Sequence, residues 1–461
     1  MSEPRWDVPS SWAWSSAGGI ARIIGGGTPS SKNEDNFAPH GIPWITPADL
    51  TGYEDAYISR GRRDLSDTGY RTSGAQLLPA GTVLYSSRAP IGYCAIAQNE
   101  ISTNQGFKSL VLEGGILPEF IRYYLIASKA YAESLATGTT FLELSGARVS
   151  ELSIPVAPLP EQRRIVGKLD ALLAGVARAR KELDRVPILI AHHKQALLAA
   201  AFSGELTRKW REERGCSLDS WSTTTLGELV DDGPSNGWSP PSSGSSKGAL
   251  SLKLTATTSG KLRLDENAVK RIDETPLPDS KFWLKPGDVL IQRANSLEHV
   301  GACAIFDGPE NTYIYPDLMM RVRLRDPVKR RYVWRVLNSE KARAYFRANA
   351  TGSAGNMPKI NGGTVRALQI PLPPPDELTA IVTALDSAFE WLEGSADEHA
   401  RAARLLPKLE QAILAKAFRG ELVPQDPADE PAAVLLERIK SQRAVNMQVH
   451  RQIVRRRAGG A

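Results

Sequence analysis

Apolar positions along the chain switch between two periods. Between residues 165 and 183, Ile165, Leu169, Leu172, Val176, Ala179 and Leu183 recur in alternating steps of four and three, the a/d spacing of a helix that presents a narrow seam to a partner. Farther along, Ile381, Leu385, Ala388 and Leu392 repeat the same phase. Each run follows a proline-rich stop, PVAPLPEQ or PLPPPDEL, with Glu161 or Glu377 placed to suit the positive N-terminal end of a helix. Each closes at a glycine, Gly204 or Gly420, expected at C′. Pro187 and Pro407 fall inside these spans, and because each removes a backbone donor they are expected to kink or interrupt the helix, leaving room for a helix pair per run. The stretches before each run read instead as short strands and turns. LLPAGTVLYSSR at 77–88 and WLKPGDVLIQR at 283–293 both enter a strand after a turn, and both are followed by a glycine, Gly92 or Gly301, and further alternating apolar residues.

The two helical runs are copies. Residues 154–206 align without a gap to 370–422 at an offset of 216, with 20 identities in 53 positions. The most similar block is QALLAAAFSGEL against QAILAKAFRGEL. Shared hydrophobicity alone would not reproduce the F-x-G-E-L ending at a fixed offset, so the chain carries an internal duplication. A seam of this width needs a partner, and the other copy is the nearest equivalent surface, so the two helices are expected to pair as an antiparallel coiled coil through Ile165, Leu169, Leu172, Val176 and Leu183 on one and Ile381, Leu385, Ala388 and Leu392 on the other. At ~1.5 Å per residue, about 40 residues make a rod of roughly 60 Å, longer than one DNA turn of about 34 Å. The fold class is therefore α+β with a pseudo-two-fold repeat: a mixed α/β domain over 1–153, a helical region over 154–206, a second mixed domain over 207–369, its helical region over 370–422 and a helical tail over 423–461. The two mixed domains resemble each other weakly, sharing an early tryptophan (Trp12, Trp221) and the Thr-Gly dipeptides at 137 and 351.

Composition narrows the classes. The chain has 461 residues, 42% hydrophobic and 23% charged, enough for two or more folded domains. A net charge of +6 and a pI of about 9.1 allow an acidic partner without requiring one. Three scattered cysteines give neither a CxxC metal motif nor a disulfide framework, which suits a reducing cytoplasm. No stretch approaches the roughly 20 apolar residues of a membrane span. Chemistry-bearing motifs are missing as well: no N/D-P-P-Y/F for holding a flipped adenine, no G-x-x-x-x-G-K-S/T loop for ATP, no G-x-G-x-x-G continuing from the glycines at 25–27. His192 and His193 are adjacent on a helix and cannot face one metal. The chain is thus expected to be non-catalytic, with no metal or cofactor of its own.

Together, IPVAPLPEQRRIVGKLD with its FSGEL ending, IPLPPPDELTAIVTALD with FRGEL, the tail DEPAAVLLERIKSQRA, GGTPS at 26–30, GIPWITPADL at 41–50 and STNQGF at 102–107 resemble the specificity subunits of Type I restriction-modification systems over essentially the whole chain. The resemblance implies two target-recognition domains that read the halves of a split double-stranded DNA site, with the helices as spacer. It implies binding of two methyltransferase subunits and of restriction/translocase subunits, with S-adenosylmethionine, ATP and Mg held by those partners, for adenine N6 methylation or cleavage in the cytoplasm. A DNA reader needs Lys and Arg for phosphates and Arg, Asn, Gln or Lys for base edges. In the first domain Arg60, Arg62, Arg63, Arg71, Arg88, Asn104, Gln105 and Lys108 supply these, and Asn104-Gln105 could offer paired amides to adenine; in the second, Lys247, Lys253, Arg293, Asn295, Asn356 and Lys359 do. The low-complexity loop 231–251 and the basic run RQIVRRR at 451–457 could touch DNA, or be plain surface and a frayed terminus. A coiled-coil scaffold whose two domains bind protein or glycan remains the alternative.

Overall fold

A strand order shared by the two halves of the chain organises the molecule. The computed structural model describes residues 6–88, 90–138, 142–240, 248–352 and 357–458, the side chains only as far as 445. In the N-terminal half one sheet runs Ala21–Gly25, Lys108–Leu112, Val83–Ser87, Ile91–Ala97, Tyr57–Ile58, and a smaller one runs Arg63–Leu65, Phe37–Ile45, Ser102–Thr103. In the other half the orders are Asp232–Asn236, Met319–Arg323, Val289–Gln292, Cys303–Ile305, and Val269–Arg271, Leu250–Leu252, Tyr313–Ile314. Directions agree too: Trp44 pairs parallel with Ser102, and Leu250 parallel with Tyr313. A third motif recurs, Ala13–Ser16 pairing antiparallel with Ser153–Val156, and Ser222–Thr225 with Gln369–Leu372. The weakly similar sequences therefore build one plan twice.

Each half feeds a long helix, Leu159–Phe202 and Pro375–Phe418, of 44 residues apiece. Both run through their internal prolines, which corrects the expected interruption. A proline removes one i→i−4 bond, and here the carbonyl that Pro187 leaves free, that of Leu183, lies 2.8 Å from the ring Nε2 of His399. Both prolines are exposed, so their rings meet no neighbouring core. Gly204 and Gly420 end the helices at φ 82° and 72°, the left-handed geometry a glycine cap supplies.

The chain divides into two compact units, Met1–Glu182 with Ala402–Ala461, and Leu183–Arg401. Each therefore holds the first stretch of one long helix and the last stretch of the other. In the first unit Ile165 and Leu169 share a core with Leu414, Ala417 and Phe418, and with Phe120 and Tyr124 of the sheet-covering helix Pro118–Ala127. In the second, Ile381 and Leu385 share a core with Leu198 and Ala201, and with Tyr332 and Val333 of Pro327–Leu337. Fully burying such a side chain stabilises by about 1.5–3 kcal/mol. Ile165, Leu169, Val176, Ile381, Leu385 and Leu392 are buried, whereas Leu172, Leu183 and Ala388 are half-buried. Of the predicted seam, Ile165 and Leu169 thus share a core with the QAILAKAF block, and Ile381 and Leu385 with the QALLAAAF block.

The glutamate in each first helical turn is more than a dipole partner. Glu377, 1% exposed, accepts from Thr207 Oγ1 at 2.7 Å, Arg211 Nη1 at 2.5 Å and Trp221 Nε1 at 2.8 Å. Glu161, equally buried, accepts from Gln425 Nε2 at 2.6 Å. Gln425 in turn accepts from Ser11 Oγ at 2.9 Å, and the Ala432 N–H donates to the Ser11 carbonyl at 2.9 Å. A C-terminal helix, Ala432–Ala458, then sets Ala432, Leu435, Leu436 and Ile439 into the first unit's core, and Arg443 reaches Glu113 and the Gly18 carbonyl.

Candidate nucleic-acid interface

Strand Val83–Ser87 is buried along its whole length, and its last residue, Ser87, is held between two loops. On one side the Ser87 N–H donates to the Gly106 carbonyl at 2.8 Å; on the other the Leu144 N–H donates to the Ser87 carbonyl at 2.9 Å. The second neighbour is a hairpin in which Thr137 and Glu143 exchange backbone bonds of 3.1 and 2.9 Å. Arg88 lies opposite Glu143, its Nη1 3.6 Å from the carboxylate. In the first neighbour, Asn104 Oδ1 accepts from the Gly106 N–H at 2.9 Å, Gln105 Oε1 accepts from the Thr28 hydroxyl, and Lys108 Nζ lies 3.4 Å from the Gln105 carbonyl. Both amide oxygens thus have an internal partner, Asn104 being half-buried and Gln105 exposed. The GGTPS segment is held against this loop: the Gly27 N–H donates to the Thr103 carbonyl at 2.9 Å and Trp44 Nε1 to the Gly27 carbonyl at 3.0 Å. A Cβ on Gly26 would stand 2.1 Å from the Asn104 carbonyl oxygen, so only glycine permits the approach.

The second unit repeats the platform with other side chains. Beyond Val289–Gln292, the Arg293 N–H donates to the Leu318 carbonyl at 2.8 Å, and the Ile360 N–H to the Arg293 carbonyl at 2.9 Å. Thr351 and Lys359 exchange backbone bonds of 2.8 and 2.9 Å, and Lys359 lies opposite Ala294. Gln292 anchors the strand end, donating to Leu254, Thr257 and Thr258 while accepting from Asn295 Nδ2 at 2.6 Å. Gly237 plays the part of Gly26, a Cβ there falling 2.2 Å from the Tyr315 carbonyl oxygen.

The platforms therefore gather Arg88, Asn104, Gln105 and Lys108 in one unit and Arg293, Asn295 and Lys359 in the other. The remaining candidates lie apart from these strand ends. Arg60, Arg62 and Arg63 line a hollow of about 420 Å³ with Phe37 and His40. There Arg60 pairs with Asp64 at 2.5 Å, Arg63 stacks 3.6 Å over the Phe37 ring, and Arg62 is left 78% exposed. Arg71 stands on the last turn of Asp67–Thr72 and does not line that hollow. Lys253 donates to the Glu266 carbonyl at 3.1 Å. Lys247 and Asn356 lie outside the described residues. Glu143 escaped the sequence reading because it is acidic, although its place at the repeat offset from Lys359 was there to find. A second hollow, of about 640 Å³, also went unforeseen; Arg331, Trp334, Arg335, Asp386 and Phe389 help line it. Arg335 sits between the Trp334 and Phe389 rings at 4.2 and 3.9 Å, and burial pulls its pKa down against the pull of Asp386. Among the described residues no group of three or more His, Cys, Asp or Glu could hold a metal ion, and no helix is long and apolar enough to cross a membrane.

Two α/β units, each closing on a pair of long-helix ends and each presenting a strand-end platform of polar loop residues, define a two-module recognition protein. Residues 9–186 match the model of the Type I restriction modification DNA specificity domain. The Escherichia coli K12 Type I restriction enzyme EcoKI specificity subunit is 30% identical over 345 residues, 72% of each chain. The MjaIX specificity subunit of Methanocaldococcus jannaschii is 36% identical over 187 residues, 39% of this chain and 43% of that one. In fold, a chain solved in a study of complex assembly and conformational transition of the type I R-M system superposes with a TM-score of 0.68 at 22% identity, covering 90% of this chain and all of that one. The chain belongs to the family of Type I restriction enzyme specificity subunits.

Proposed function

We propose that this chain is the DNA-reading subunit of a Type I restriction-modification enzyme, each unit reading one half of a split, asymmetric double-stranded site through its strand-end platform. The carrying observation is the recurrence of one platform in both units, built by the same backbone bonds but offering different side chains. Positioning contacts to phosphate and reading contacts to bases call for Arg, Lys, Asn and Gln on such loops. The long helices are the spacer, paired as an antiparallel coiled coil; the cores that join Ile165 to Leu414, and Ile381 to Leu198, support that polarity. The chain itself is non-catalytic. It recruits two methyltransferase subunits that bring S-adenosylmethionine, and restriction/translocase subunits that bring ATP and Mg, and it works in the cytoplasm.

The test is the chain co-purified with its methyltransferase subunits, given S-adenosylmethionine and a DNA library. Adenine N6 methylation at one bipartite sequence is the expected result, and methylation without sequence preference overturns the reading. A scaffold for protein or glycan would show no salt-dependent affinity for DNA, whereas a phosphate-contacting reader loses affinity steeply between 50 and 200 mM salt.

A further inference from the structure

The two platforms differ in sign at one equivalent place. Glu143 and Lys359 are separated by the repeat offset of 216 residues, and the backbone puts them in the same position. Each pairs with the threonine that opens its hairpin, Thr137 or Thr351, and each lies across from a residue just past the buried strand: Arg88, the first beyond Val83–Ser87, or Ala294, the second beyond Val289–Gln292. The next residue in each hairpin, Leu144 or Ile360, donates to the carbonyl of the residue just before Arg88 or Ala294, namely Ser87 or Arg293. Arg293, which ends the sequence stretch most like that of Arg88, is therefore the counterpart of Ser87, and the alternation of a strand turns it to the opposite face.

At this shared place the first unit presents a carboxylate, 44% exposed, beside the Arg88 guanidinium. The second presents an exposed ammonium opposite an alanine, with no carboxylate against it among the described residues. A phosphate anchor would demand the same charge in both units, because the phosphate backbone is negative everywhere. An exposed acid suits that place on a DNA reader only if it meets a base edge.

We propose that position 143/359 is a specificity-determining contact in each unit, reading bases of opposite hydrogen-bonding character. This rests on the DNA-reading function proposed above. The Glu143 carboxylate can only accept, so it selects a base that offers an amino group in the major groove, cytosine or adenine; the Lys359 ammonium can only donate, so it selects guanine through N7 and O6. Arg88 orients the carboxylate.

The assay uses the complex of the full chain with its methyltransferase subunits, S-adenosylmethionine and DNA with randomised half-sites, read by sequencing methylated adenines. Lys359→Glu should move one base of the second unit's half-site from guanine to an amino-bearing base, and Glu143→Lys should do the reverse in the other half-site. Each change of preference should be about tenfold or more, with the opposite half-site unaltered. Lys359→Gln and Glu143→Gln, exposed and close in shape, should relax the same single positions, and they decide the matter if a charge-reversed chain fails to assemble. Unaltered motifs in variants of a sequence-specific wild type overturn the proposal. So does a Lys359→Gln variant that weakens all sequences alike and flattens the salt dependence, which marks a phosphate contact. A wild type with no sequence preference instead overturns the DNA-reading function itself.

Discussion

The two units share a plan and differ in how they are closed. In Leu183–Arg401 an uninterrupted stretch of chain, from Thr207 to Trp221, wraps the base of the long helix and meets Glu377 with a cation, Arg211. In the other unit the same place is filled by the two chain ends, and the equivalent Glu161 meets a neutral amide, Gln425. One repeated glutamate thus sits in two electrostatic settings. Burial pushes Glu161 up from the ordinary value of 4.5, against the lowering pull of the Gln425 bond and of Arg164. A second repeated acid behaves alike: Asp170 accepts from Tyr123 Oη at 2.5 Å, while Asp386 holds Arg331 at 2.8 Å and the buried Arg335 at 3.0 Å. At the 216-residue offset the acceptors recur while their donors differ.

Removing the helix that only one unit possesses should have the largest effect. Ending the chain after Pro431 uncovers the places filled by Leu435, Leu436 and Ile439 and should cost the first unit about 5 kcal/mol. Hydrogen exchange resolved by residue should then report loss of protection over 9–182 with 183–401 unaltered, and equal loss in both would break the division into units. Next, Glu377→Ala leaves Arg211 buried without its partner and should cost about 3–5 kcal/mol, whereas Glu161→Ala removes a neutral hydrogen bond and should cost about 1–2 kcal/mol. Denaturant titration of both variants checks the order. The pH dependence of Glu161 has a definite sign: its proton is held more tightly in the folded state, so its contribution to stability is greatest in acid and declines as pH rises from about 4.5 through the folded value. Glu161→Gln should abolish that slope in the first unit. The smallest contrast is Asp386→Ala at about 2–3 kcal/mol against Asp170→Ala at about 1 kcal/mol, since only the former strands a buried guanidinium.

The helices, their glycine caps and the duplication were legible because they depend on local period and on identity at a fixed spacing. Pairing partners were less so. Ile165 and Leu169 advertise a seam, but the residues that fill it, Leu414, Ala417 and Phe418, lie in a block whose near-identity between copies was the available clue. The carbonyl that Pro187 leaves free is met by His399, 212 positions away and invisible to local rules. The likeness of the two sheets was hidden because strand ladders are set by cross-strand registers, and unequal loops shift the residue count between matching strands. For that reason Arg88 and Arg293 look equivalent in sequence and are not. Gathering Arg88, Gln105 and Glu143 at one strand end needed bonds from Ser87 to Gly106 and to Leu144.

The contact of Ser11 with Gln425 and Ala432 bears on how the protein is made. The first unit's sheets are translated before Leu183–Arg401, yet that unit takes its final helical stretch and its capping helix from beyond residue 401. By then the ribosome has already released the whole of Leu183–Arg401, so the module started second is the first to have all its parts. A nascent chain arrested before Ala432 is in the state that the shortened variant reproduces, with an apolar surface waiting for Leu435, Leu436 and Ile439.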